Sequence, residues 1–412
     1  MKRLAAFDFF DPAVAEDPFE FYAALRREAP VHQVPGLGFY LVSRYALVTE
    51  ALRNPALFSN RFAAAMQAKV GGMRPQLASI WAQGYPPVDT LLTNDPPSHT
   101  RYRALVTKAF SARRVRSMEE AIRALAGELV DGLLRDRTVE LVDRFAVPLP
   151  LTVIADQLGV PREDLPRFKK WSDDSVAPLG QMISPEREIE CARSVVEFQH
   201  YFARIGDERR AAPRDDLISD LVHAKVEGER PLETGELLSV LQQLLVAGNE
   251  TTTNLIAAAV KLLIEHPDQL AKLRAQPERI PNAVEEVLRL ETPVQGMWRV
   301  ATEDTELDGV AIPKGAFLML RYAAANRDES VFPEADRFDV ERPNARDHLS
   351  FGMGIHFCVG AALARAEGAA ALATLLSRTR AMRFADGKNE FRHHPSILLR
   401  GLERLWVELE AA

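Results

Sequence analysis

From Thr234 to Glu265 the chain runs without a proline, and as one helix that segment would span about 48 Å at about 1.5 Å per residue. A helix of that length crosses a whole domain, so the remaining elements have to pack around it. At about 100° per residue, Leu244, Ala247, Gly248, Thr251 and Leu255 share one face, with small residues and a hydroxyl at its middle that leave room for a ligand. The polar run Asn249-Glu250-Thr251-Thr252-Thr253 is foreign to a pure core. It is either a solvated face or a place where Gly and Thr bend the helix by bonding back to the preceding turn.

Most of the first 290 residues repeat apolar positions at helical spacing, punctuated by Pro and Gly. Strand signals are confined to Phe39–Val42, to Arg299–Leu320 with its Asp308-Gly309 turn, and to the tail around Ile397–Leu409. The expected fold is mainly α with small β-sheets, one domain over 1–412 whose β-containing portions lie near 31–43, 299–320 and 380–410. Between Asn326 and Ser350 lies an irregular stretch too long for a plain connector, which implies that something else orders it. Arg61 to Pro87, with Gly and Pro among apolar residues, reads as a mobile cover over a cavity.

With 51 basic and 58 acidic residues the net charge is −7, which argues against a general attraction to nucleic acid. The N-terminal Met1 to Pro12 places acids and a proline where a signal peptide needs an apolar run, and no apolar stretch approaches the roughly 18 residues of a membrane span. The expectation is a cytoplasmic protein without membrane attachment. Two cysteines, Cys191 and Cys358, are too few for a disulfide framework.

Cys358 lies in Phe351-Gly352-Met353-Gly354-Ile355-His356-Phe357-Cys358-Val359-Gly360, just before an Ala-rich helical segment. Glycines at 352, 354 and 360 permit left-handed or tight backbone and the approach of a flat group. A helix N-terminus and its free amides favour a thiolate. Cys358 with His356 alone completes no zinc site. The loop resembles the heme-binding loop of the cytochrome P450 family, Phe-x-x-Gly-x-His/Arg-x-Cys-x-Gly, with every fixed position filled. The resemblance extends over essentially the whole chain, and it implies a P450-like fold with the long helix over heme b and the cysteine loop beneath it. It makes Cys358 the metal ligand and places Phe351, Gly352, His356 and Gly360 at the cofactor.

Other segments match in order. Glu286 and Arg289 lie three apart on one helix face and can pair. In the family this motif is buried and joined by an arginine from the irregular stretch, for which Arg342 is the candidate. Asp95-Pro96-Pro97-Ser98-His99 opens a segment with His99 and Arg103 four apart, a cationic clamp. By resemblance these two residues, Arg299 and His356 hold the heme propionates. Ala247-Gly248-Asn249-Glu250-Thr251 resembles the oxygen-binding kink, which implies that Thr251 organises hydrogen bonds around dioxygen and Glu250 relays protons.

The implied activity is a heme-thiolate monooxygenase fed by an iron-sulfur ferredoxin and its flavin reductase, acting on a hydrophobic small molecule of terpenoid, steroid or aromatic type. The alternative is a non-catalytic heme-thiolate sensor, against which the Glu250-Thr251 pair argues. The expected substrate lining draws on the Arg61–Leu92 and Lys170–Ile183 regions, on Leu244 and Ala247, on Val294, Gln295, Met297 and Trp298, and on the tail near Ile397, with Gln295 the polar handle. Arg61, Lys69 and Arg74 are candidate cations for a carboxylate. Arg113, Arg114 and Arg116 form a candidate steering patch for the ferredoxin.

Overall fold

Thr234–Glu265 is a single 32-residue helix in the computed structural model of the chain, which describes residues 2–69, 74–110, 112–180, 183–226 and 228–412. Its start is a capping box: the Glu233 side chain accepts from the backbone of Glu236 while the Glu236 carboxylate accepts from the N–H of Glu233. His266-Pro267 ends it, because the residue before a proline avoids the helical region. Glu236 does more than cap. Its buried carboxylate takes both guanidinium nitrogens of Arg230, the guanidinium of Arg101 at 2.9 Å and the Tyr102 hydroxyl at 2.8 Å. These bonds hold its pKa down to about 2 against the upward push of burial, and Tyr102 is pushed up to about 12 by burial and that same carboxylate.

Helices Pro148–Gln157, Leu165–Gly180, Ile280–Glu291 and Ala361–Arg378 pack on the long helix. Asn249, Thr252 and Thr253 are buried among them, so the polar run is no solvated face: Thr253 donates to the Ala146 carbonyl and Asn249 to the Ser172 hydroxyl. No helix among the described residues is long and apolar enough to cross a membrane.

A five-stranded sheet runs in the order Val31–Gln33, Phe39–Val42, Phe317–Leu320, Met297–Ala301, Phe58–Ser59, with only the Phe39–Val42 and Phe317–Leu320 pair parallel. A three-stranded sheet joins Thr138–Glu140, Trp406–Ala411 and Thr379–Phe384. The expected tail strand from Ile397 is corrected: pairing starts at Trp406, and upstream the backbone makes only isolated bridges, Val294 to Leu399 and His393 to Leu402. The Arg61–Pro87 region contains the helices Phe62–Lys69 and Pro75–Trp81, the second seated through Leu77 and Ile80 on Ala192 and Val196. Residues 70–73 of that region, and 181–182 of the Lys170–Ile183 region, lie outside the described residues, as does the side chain of Lys69.

The irregular stretch after Asn326 is ordered by two buried arginines. Arg289 makes a two-pronged pair with Glu286 at 2.7 and 2.9 Å and also donates to the carbonyls of Asn326, Ala335 and Arg337. Arg342 reaches the same carboxylate at 3.0 Å and donates to the carbonyls of Pro333, Glu334 and Arg337. Each guanidinium thereby satisfies carbonyls that no helix or strand would satisfy, which is why a segment without periodicity holds one shape.

Candidate functional site

The cysteine loop is closed by the Cys358 N–H donating to the Phe351 carbonyl at 2.9 Å. Gly352 and Gly354 stand at φ +66° and +70°, as the sequence leads one to expect, and a Cβ on Gly354 would come within 3.0 Å of the Leu52 carbonyl. Gly360 stands at φ −87° and serves as the N-cap of Ala361–Arg378. Burial pushes the Cys358 thiol up. The N–H groups of Gly360 and Ala361 and the charges of Arg103 and Arg365 pull the other way, toward the thiolate.

His99 and Arg103 from the helix Ser98–Ala109, Arg299 from the strand Met297–Ala301 and His356 from the loop itself converge here. The rings of His99 and His356 lie 4.2 Å apart, and Arg103, Arg299 and His99 each act electrostatically on His356. Burial and these neighbours push His356 down to about 3, so it stays neutral. Its Nε2 is buried and has no hydrogen-bond partner. A buried nitrogen left without a partner amid cations matches an acidic ligand group, such as a carboxylate.

Across from the loop, the Thr251 hydroxyl donates to the Ala247 carbonyl at 2.7 Å, the back-bonding expected at this point. Ala247 is exposed and Thr251 half-exposed, although Leu244 and Leu255 on either side are buried. A Cβ at Gly248 would rest 3.7 Å from Ile154, so Gly248 turns toward helix Pro148–Gln157 rather than sharing the open side of Ala247. Glu250 turns toward helix Leu165–Gly180. Burial raises its pKa, opposed by Lys169 at 3.7 Å and reinforced by Asp173.

Strand alternation divides the expected substrate lining. Arg299 and Met297 share one face of Met297–Ala301, while Trp298 points to the other and packs edge-on against Phe39 and Phe317. Trp298 is therefore core. Gln295 is corrected as well: it is buried, with its amide nitrogen donating to the carbonyls of Glu291 and Thr292 and its oxygen accepting from Tyr22. It is a strut, not a polar handle. Gly296 sets this arrangement, since a Cβ there would meet the Leu320 carbonyl at 2.5 Å. Val294, Met297, Leu244 and Ala247 keep positions compatible with a lining. Arg74 pairs with Glu188, and Arg114 with Asp220 and Asp215, which leaves Arg113 and Arg116 as the exposed members of their cluster.

Other polar groups escaped the sequence reading. Glu285, next to Glu286 but one helical step round, is buried against His348 at 3.0 Å and Arg365 at 2.7 Å. Its pKa is drawn down to about 2 despite burial, and Arg365 stacks over Phe351 at 4.6 Å. Glu367 is fully buried within the Cys358 helix, bonded to Thr252, and burial raises its pKa to about 8. The Glu285-Glu286 doublet carried a signal in the sequence. Glu367 in an Ala-rich run carried none.

The donor set fits heme b: a thiol at a helix N-terminus, and four imidazole and guanidinium groups, one with an unpartnered buried nitrogen, for two propionates. The family model for cytochrome P450 matches residues 191–400, and the chain belongs to the cytochrome P450 family. In particular it is 40% identical to cytochrome P450 107B1 of Saccharopolyspora erythraea over 97% of this chain and 96% of that one. It is 37% identical to the 6-deoxyerythronolide B hydroxylase of the same organism, covering 96% of each. A solved Bacillus megaterium structure, CYP109E1 with testosterone, superposes with a TM-score of 0.82 at 33% identity over 95% of this chain and 99% of that one. The chain is thus a heme b oxidoreductase of P450 type that acts on a small molecule with dioxygen.

Proposed function

We propose that this P450 is a ferredoxin-dependent monooxygenase that inserts one atom of dioxygen into a hydrophobic small molecule of terpenoid, steroid or aromatic type. The second oxygen atom leaves as water, with two electrons from the ferredoxin and two protons. The observation that carries the reading is the buried, unpartnered Nε2 of His356, set with His99, Arg103 and Arg299 beside the Cys358 thiol. When bound, heme b would be held through its iron by the Cys358 thiolate and would supply the oxidising chemistry.

The chain's own residues bind, orient and move protons. His99, Arg103, Arg299 and His356 take the propionates, and Phe351, Gly352 and Gly360 shape the loop that Cys358 occupies. Glu286, Arg289 and Arg342 fix the segment leading into that loop. Leu244, Ala247, Val294 and Met297 orient an apolar substrate and exclude water. A relative named as a hydroxylase of 6-deoxyerythronolide B and a testosterone-bound neighbour favour a bulky, largely apolar molecule. The Thr251 hydroxyl donates its proton to the Ala247 carbonyl across 2.7 Å between the oxygens, and Glu250 leads from it to the partly exposed Lys169 and Asp173, a route by which protons arrive from water. Exposed Arg113 and Arg116 steer an acidic ferredoxin. We read the chain as one folded unit, 1–412, working in the cytoplasm.

The test is the difference spectrum of the purified, reduced protein under carbon monoxide. A strongly red-shifted Soret band that is lost in Cys358→Ala is the expected result. A histidine-type spectrum in the wild type would overturn the thiolate assignment.

A further inference from the structure

The face of the five-stranded sheet turned away from Arg299 carries a second polar centre. Arg321 follows the strand Phe317–Leu320 and falls on the side of Phe317, Met319 and Trp298. Arg321 is 3% exposed, and its guanidinium lies 4.9 Å from the Tyr22 ring and 5.9 Å from the Phe9 ring. Nη1 donates to the Ile397 carbonyl at 2.7 Å and rests on the Met319 sulfur at 2.9 Å. Nη2 bonds the Tyr22 hydroxyl, and Nε has no partner.

Among the described residues no carboxylate faces this charge. Burial alone draws its pKa down to about 9, with no acid acting against that shift. The charged groups nearest to it are already matched, and only the exposed His394 at the rim is not. Arg400 lies 3.4 Å from Glu291 and donates to the Glu16 carbonyl, His393 bonds the Glu16 carboxylate, and Tyr22 donates to Gln295. A buried guanidinium with no counter-charge is costly, and protein interiors pair such groups.

Arg321, Tyr22, Gln295, His393, Ile397 and Arg400 line a small cavity of about 30 Å³. That size suits a small anionic group and not a bulky one. Exposed His394 and Ala15 form its rim.

We propose that this cavity is an anion-binding site, taking a small monovalent anion or the carboxylate head of an organic acid as the counter-ion of Arg321. A guanidinium is weakly hydrated and presents a planar donor fork that suits a carboxylate. The site lies across the sheet from Arg299, so it stands or falls independently of the heme reading.

The test compares the thermal midpoint of the holoenzyme in rising sodium formate and in rising sodium octanoate, with ionic strength held equal, for the wild type and Arg321→Met. Formate or octanoate should raise the wild-type midpoint by several degrees in a saturable way, and Arg321→Met should lose the response. Octanoate saturating at concentrations at least tenfold below formate would identify an organic acid whose tail leaves past the rim. Equal saturation would identify a simple anion. A midpoint that follows ionic strength alone, or identical responses in both proteins, would overturn the proposal. Should Arg321→Met fail to fold, anomalous diffraction from a bromide-soaked wild-type crystal decides: a bromide peak beside Arg321 supports the site, and none there refutes it.

Discussion

Glu367 holds a proton at neutral pH in the middle of the protein, and replacing it with Gln should make the molecule more stable at neutral pH. Its carboxyl is buried within Ala361–Arg378, with the Thr252 hydroxyl as its partner, and burial raises its pKa from the ordinary 4.5 to about 8. A group whose folded pKa is raised contributes stability that is complete below its unfolded pKa and is lost as pH climbs through the folded one. Above pH 4.5 the unfolded chain releases this proton while the folded protein retains it until about pH 8, so folding is progressively disfavoured across that window. The cost from this group is about 3 kcal/mol at pH 7, and about 3 to 4 kcal/mol accrues between pH 5 and pH 8. Glu367→Gln keeps an oxygen to accept from Thr252 and removes the titration. Urea unfolding of the holoprotein at pH 5, 6, 7 and 8 gives the stability difference between variant and wild type, in which every other titrating group cancels. The difference should grow in favour of Gln by about 3 kcal/mol across the series. A difference that stays flat with pH would refute the buried-acid reasoning.

Glu286→Leu strands the buried guanidinium groups of Arg289 and Arg342 without a carboxylate and should cost about 3 to 5 kcal/mol, read as loss of folded, heme-loaded protein on expression. Thr251→Ala should keep heme and substrate binding but divert reducing equivalents to hydrogen peroxide, measured as the ratio of peroxide to product; full coupling would defeat the relay role. Gln295→Ala should lower the unfolding midpoint, since it strands the Tyr22 hydroxyl, while leaving substrate-induced spectral shifts intact, whereas Met297→Ala should alter those shifts. Arg113→Glu with Arg116→Glu should slow ferredoxin-driven reduction and flatten its salt dependence without changing substrate affinity, and unchanged reduction kinetics would remove the patch from the interface.

The long helix, the turns of the cysteine loop and the Glu286 and Arg289 pair were legible in the sequence because each rests on local rules: absence of proline, glycine placement, spacing along one helix face; Arg342 was joined to that pair only through the family resemblance. The faces of Gln295 and Trp298 were not legible, because the phase of a strand's alternation depends on its partner. Here it is set by Gly296 lying against the Leu320 carbonyl. The strands Phe58–Ser59 and Thr138–Glu140 are too short to show alternation at all. The positions of Lys169 and Asp173 around Glu250, and of Glu367 against Thr252, arise only when distant helices meet, so no spacing announces them.

Glu236 gives the distal half of the molecule a common datum. One carboxylate, ionised across the physiological range, joins the first turn of the helix that carries Thr251 to the helix that carries His99 and Arg103. The spacing between the Thr251 hydroxyl and the His99 and Arg103 pair is therefore referenced to a single carboxylate. A lesion at the exposed Arg230 would be felt at both ends of that span at once.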